Sequence, residues 1–156
     1  MTSIEAAFRA TTYRVTTPEG AFALRIGVAD SAFDDFLGRL PDALDPLDSS
    51  AIRATAGSSA VSTGPGWGIL TAYNPGALLP EHENQLRQQR LRDRLAASGR
   101  RFLAGCNLAD GGAWPPEPSY LVVDVNEQYI VALGREFCQL AVVWGRRGAV
   151  PQLLWI

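Results

Sequence analysis

The sequence predicts an α+β fold, a ferredoxin-like β-α-β-β-α-β sandwich with an antiparallel sheet, preceded by an N-terminal hairpin and a short helix. Three observations predict it. Strand-like and helix-like segments alternate in that order from Trp67 to the C-terminus. Three of the strand segments, Ile69-Leu70, Leu121-Val122-Val123 and Leu140-Ala141-Val142-Val143-Trp144, are apolar throughout rather than alternating, which is the pattern of strands buried on both faces. The first forty residues carry a separate hairpin and an amphipathic stripe, enough to cover the sheet face that two helices leave open.

Tyr13 to Val15 and Phe22 to Ile26 flank Pro18-Glu19-Gly20 and read as paired strands joined by a tight turn. A short helix follows. Asp30 or Ser31 can cap it, and Phe33, Phe36, Leu37 and Leu40 recur at helical spacing up to Pro41, which ends it. From Asp42 to Gly66 the chain turns to Asp, Ser, Ala, Gly and Pro, a composition that predicts a long flexible surface loop. Beyond it come a strand at Gly68 to Tyr73, a helix at Glu81 to Ser98, strands at Arg101 to Asn107 and Tyr120 to Val125, a helix at Glu127 to Phe137 and a strand at Leu140 to Trp144. A last strand at Gln152 to Trp155 follows the Gly145-Arg146-Arg147-Gly148 turn and can extend an edge. The expected organisation is therefore one domain over residues 1–156: hairpin and helix to residue 41, loop over 42–66, and α+β core from 67.

Composition removes several chemistries. All fourteen basic residues are arginine, so a phosphate-loop lysine and a Schiff base are both excluded. His82 is the single histidine, which argues against imidazole-rich zinc or iron sites. Cys106 and Cys138 lie far apart in apolar stretches and read as free buried thiols. With a formal net charge of −2 there is no basic field to draw nucleic acid. No apolar run approaches the roughly 18 residues that a membrane span needs, and no signal-like start is present, so a cytoplasmic protein without membrane contact is expected.

Candidate site residues follow from topology. In a β-α-β-β-α-β sheet the loop after the first strand, the start of the first helix, the hairpin between the second and third strands and the turn before the fourth strand share one end. That end would gather Tyr73-Asn74-Pro75, Asn84 with Arg87, the Trp114 to Ser119 hairpin and Gln139. Helix N-termini there favour a small anionic ligand. Asn84 and Gln88 fall on the sheet-packing face of their helix with Leu91 and Leu95, so they need partners, either in the neighbouring loop or on a ligand. Pro115, Pro116 and Pro118 stiffen the hairpin and hold Glu117 beside Trp114, either as a preorganised acid/base or as a carboxylate solvated or paired with Arg87.

Weaker patterns carry less. Arg87, Arg90 and Arg94, with Arg100 and Arg101, read as a solvated face among acidic neighbours. Ser119 with His82 and Glu117 lacks the Gly-x-Ser-x-Gly elbow of a nucleophile triad.

Tyr13-Arg14, Thr71-Ala72-Tyr73-Asn74-Pro75, Glu83-Asn84, Leu91 and Leu95, Gly105, Trp114 with Pro116-Glu117-Pro118-Ser119, and Phe137 with Gln139 and Ala141-Val142 together give the chain a family likeness. From Tyr13 onward it resembles the uncharacterised bacterial domain-of-unknown-function family 3293, with the Asp42 to Gly66 stretch as an insertion. The resemblance implies a small bacterial cytoplasmic protein and names no activity, substrate or cofactor. Two functions from different classes remain open. One is a small-molecule or anion-binding pocket, enzymatic or not, with Glu117 as acid/base or acceptor, Asn74, Asn84 and Gln139 as orienting amides, Arg87 as anion clamp, Tyr73 and Trp114 as walls, and Ser119 beside them. The other is a non-catalytic interaction module that pairs with a protein or with a second copy as a homodimer, through an uncovered sheet face or the apolar strand Leu153-Leu154-Trp155-Ile156.

Overall fold

The computed structural model describes residues 3–40 and 66–156; the loop expected over 42–66 and the stop at Pro41 lie outside the described residues, apart from Gly66. Among the described residues, seven antiparallel strands form one sheet: β1 (Thr11–Thr17), β2 (Gly20–Leu24), β3 (Gly66–Leu70), β4 (Phe102–Ala109), β5 (Glu117–Val123), β6 (Ala141–Arg146) and β7 (Gln152–Trp155). Four helices accompany them: α1 (Ser3–Arg9), α2 (Ser31–Arg39), α3 (Glu81–Ala97) and α4 (Glu127–Glu136). The α+β class is borne out, with a larger sheet than expected. The order across it is β2-β1-β4-β5-β3-β6-β7, so the hairpin and the last strand widen the sheet at opposite edges.

Alternation of side chains along each strand divides the core in two. Leu70, Val122, Val142 and Trp144 point to the face covered by α3 and α4, where Leu91, Leu95, Ile130 and Leu133 complete one cluster. Trp67, Ile69, Leu121, Val123 and Val143 point the other way, onto Phe33 and Phe36 of α2 and onto Tyr13, Val15 and Leu24 of the hairpin. β3 and β6 are therefore buried on both faces, as their uninterrupted apolar sequences require. The N-terminal part does cover the face that α3 and α4 leave open.

Local chemistry fixes the elements. Asp30 caps α2 by accepting the Phe33 N–H at 2.9 Å, and Asn126 caps α4 by accepting the Tyr129 N–H at 2.8 Å. At Gly68 an added Cβ would stand 2.4 Å from Ile130 Cγ1, so glycine lets α4 lie close on the sheet.

Three sequence expectations need correction. Glu117, Pro118 and Ser119 belong to β5 rather than to the hairpin loop, which runs through a 3-10 turn at Asp110–Gly112 and on to Pro116. β3 ends at Leu70 instead of Tyr73, because the Thr71 hydroxyl donates to the Pro118 carbonyl at 2.7 Å and accepts the Tyr73 N–H at 3.0 Å, turning the chain out of the sheet. Neither cysteine is buried: Cys106 is half-buried, and Cys138 is exposed where the chain leaves α4 at φ 57°.

Candidate functional site

Asn74 is the hub of the sheet end. It sits in the left-handed region at φ 44°, a conformation Asn tolerates better than other non-glycine residues. Four hydrogen bonds hold it there. Its N–H donates to Asn84 Oδ1 at 2.9 Å, and its Oδ1 accepts from Asn84 Nδ2 at 2.9 Å and from the Leu79 N–H at 3.0 Å. Its Nδ2 donates to Glu117 Oε1 at 2.7 Å, short as hydrogen bonds to a carboxylate are.

Asn84 thereby resolves the alternatives its sequence position left open: both ends of its amide are committed to the loop, the second donor bond reaching the Leu79 carbonyl at 3.2 Å. Gln88, one turn later, accepts the Ala72 N–H at 2.9 Å through Oε1, while its Nε2 is buried without a partner among the described residues. Gln139 donates to the Tyr73 carbonyl at 3.2 Å. Arg87 donates through Nε to the Ala72 carbonyl at 2.8 Å and through Nη2 to the Phe137 carbonyl. Its guanidinium therefore ties the loop to the end of α4.

These contacts surround a cavity of about 510 Å³, within the roughly 300–1,000 Å³ typical of ligand sites. Tyr73, Asn74, Asn84, Trp114, Glu117 and Gln139 line it, whereas Arg87 and Ser119 do not. Ser119 is buried in β5 beside Gly105. Tyr13, Ile69 and Val143, which belong to the α2-side core, line the cavity, and α1 supplies part of its wall through Ile4, Ala7 and Phe8. Sequence reasoning missed that wall. It also passed over Asn107, a lining residue on β4.

The lining is mainly apolar, and its electrostatics run against an anion. Among the described residues its acidic groups are Glu81 and Glu117, and no arginine or histidine lines it. Glu81 accepts from the Tyr73 hydroxyl at 2.9 Å and from Gln85 Nε2 at 3.0 Å. Burial, with the hydrogen bond to Glu81 and the charges of Glu81 and Glu117 adding to it, pushes the Tyr73 hydroxyl up to about 12. Tyr73 therefore stays protonated at neutral pH and serves as a donor. Burial likewise raises the Tyr13 hydroxyl, which donates to the Phe8 carbonyl at 3.0 Å. Among the described residues, no group of three or more His, Cys, Asp or Glu is placed to hold a metal ion. No described helix is long and apolar enough to cross a membrane.

The loop, α3, β4, β5 and α4 that build this end fall within one stretch of chain. Residues 70–142 match DUF3293, a protein family of unknown function. The family resemblance is borne out. The DUF3293 match starts at the last residue of β3 and ends within β6, so it contains Asn74, Asn84, Glu117 and Gln139 but neither α1 nor the Tyr13-Arg14 pair. No curated protein and no solved structure matches the chain.

Proposed function

We propose that the cavity binds a small molecule with a largely apolar body, and that the network centred on Asn74 exists to fix Glu117 at its wall. One observation carries this reading: a cavity of about 510 Å³ with mainly apolar walls, into which a carboxylate, Asn74 and Gln139 converge. Glu117 acts here as an orienting acceptor, and an enzymatic version of the proposal would use the same carboxylate as acid/base. The anionic ligand expected from the helix N-termini is set aside, because an anion would meet Glu81 and Glu117 with no cation among the described residues that line the cavity. The ferredoxin-like reading of the four central strands belongs to this proposal. It is supported by the order β4-β5-β3-β6 with α3 and α4 against one face. So does the reading of the chain as one cytoplasmic unit.

The test is uptake of a neutral apolar dye, Nile red, by the full chain and by Ala7→Trp, which fills the cavity from the α1 side. One dye per chain, with affinity lowered roughly tenfold or more in a variant that still melts cooperatively, is the expected result. Unchanged uptake by Ala7→Trp would remove the cavity from consideration.

A second reading has its own observation. Among the described residues β7 is an edge strand that pairs only with β6, and Trp155 at its end is 48 % exposed. Such an edge can add a strand from a second copy or another protein. Sedimentation should then show a dimer that Trp155→Glu dissociates, and a wild-type monomer at high concentration would end this reading.

A further inference from the structure

Asn107 and Glu117 stand opposite each other in the β4–β5 register, so their side chains leave the same sheet face with Cβ atoms about 5 Å apart. Both line the cavity. Asn107 is 9 % exposed, and its side-chain oxygen is buried without a hydrogen-bond partner among the described residues. An orphaned acceptor of this kind costs about 1–3 kcal/mol, and native proteins keep few. Glu117 has a related deficit. One of its oxygens takes the bond from Asn74, and among the described residues no arginine or histidine pairs with the carboxylate. Glu117 is half-buried at the same wall.

Asn107 Oδ1 lacks a donor, and Glu117, which accepts one bond from Asn74, has no basic partner among the described residues. We propose that the ligand of this cavity carries a cationic N–H-bearing head, a protonated amine or amidinium, whose charge is met by Glu117 and whose N–H donates to Asn107 Oδ1. The assignment rests on the small-molecule reading above and sharpens it to a chemical class. An ammonium offers three donors and no acceptor, so it can meet both acceptors and keep a third N–H for water. The Tyr73 and Trp114 rings in the wall add faces on which a cation or a flat ring is favoured. A carboxylate or phosphate head would leave both deficits in place and add repulsion.

Calorimetric titration of the full chain at neutral pH compares three indoles of similar body: tryptamine, the neutral alcohol tryptophol and indole-3-acetate. Tryptamine is expected to bind roughly tenfold or more tighter than tryptophol, a gap of about 1.4 kcal/mol or more, with indole-3-acetate weakest. Glu117→Gln keeps an acceptor for Asn74 and should erase most of tryptamine's advantage while leaving tryptophol unchanged. Asn107→Leu removes the orphan, so it should melt no lower than wild type and yet lose roughly tenfold in tryptamine affinity. Equal affinities for the three indoles, or preference for indole-3-acetate, would overturn the amine assignment. If no indole binds to a chain that takes up Nile red, the amine assignment falls and the cavity stands. If neither Nile red nor any indole binds, both fall together.

Discussion

Phe33→Ala is expected to cost about 3–5 kcal/mol, the range for deleting a buried phenylalanine side chain. For a chain of this length that corresponds to a melting temperature lower by roughly 10 °C or more. Phe33 is 1 % exposed and meets Phe22 and Trp67 in edge contacts with centroids 5.3 Å apart. Phe36 lies 6.2 Å away and the three neighbours come from α2, β2 and β3, so the ring joins the N-terminal part to the sheet that carries the site. Because the void would be walled by large aromatics on rigid elements, little collapse can refill it. Far-UV circular dichroism and tryptophan fluorescence should report the same single transition in both proteins. Two separated transitions, or a loss below about 1 kcal/mol, would show that residues before Gly66 fold apart from the rest.

Asn74→Ala is the second large effect, expected near 3–4 kcal/mol. The substitution removes the three side-chain bonds, each worth about 0.5–1.5 kcal/mol net and more where the carboxylate is the acceptor. It also places alanine at φ 44°, which costs roughly 1–2 kcal/mol for a side chain with no local compensation. Asn74→Gly loses the same bonds without the conformational cost, so the difference between the two variants measures the strain, and about 1 kcal/mol is expected. Chemical denaturation of the three proteins gives both quantities. An alanine variant within about 1 kcal/mol of wild type would mean that the loop is held by its other contacts, among them Arg87 on the Ala72 carbonyl.

The central strands were legible because burial on both faces leaves a short uninterrupted apolar run bounded by turn residues. The start of α2 was legible in part, since Asp30 or Ser31 could cap its helical stripe and Asp30 does so. α1 escaped because it is seven residues long and has no buried residue, so it carries no stripe to read. Glu117 was placed in a turn because proline seldom enters a sheet interior, yet Pro118 sits in β5 opposite Cys106. Asn84 was correctly assigned to the sheet-packing face, but whether it tied a loop or met a ligand depended on the path of residues 74–79. Asn107 was invisible for a deeper reason. What sets it apart is an oxygen with no partner, and a missing bond has no signature in a string of residues.

The strand order bears on how this sheet keeps to itself. The strands lying in or entering residues 70–142 occupy the middle, and both flanks come from outside that stretch: β1 and β2 from one end of the chain, β7 from the other. Cut back to residues 70–142, the chain would keep only Leu70 of β3 and two residues of β6, and β4 would present its whole outer row of amides and carbonyls to water. Exposed rows of that kind template the stacking of one sheet on the next and lead to aggregation. The two ends of the chain thus act as selvedges, finishing a fabric that would otherwise ravel into its neighbours.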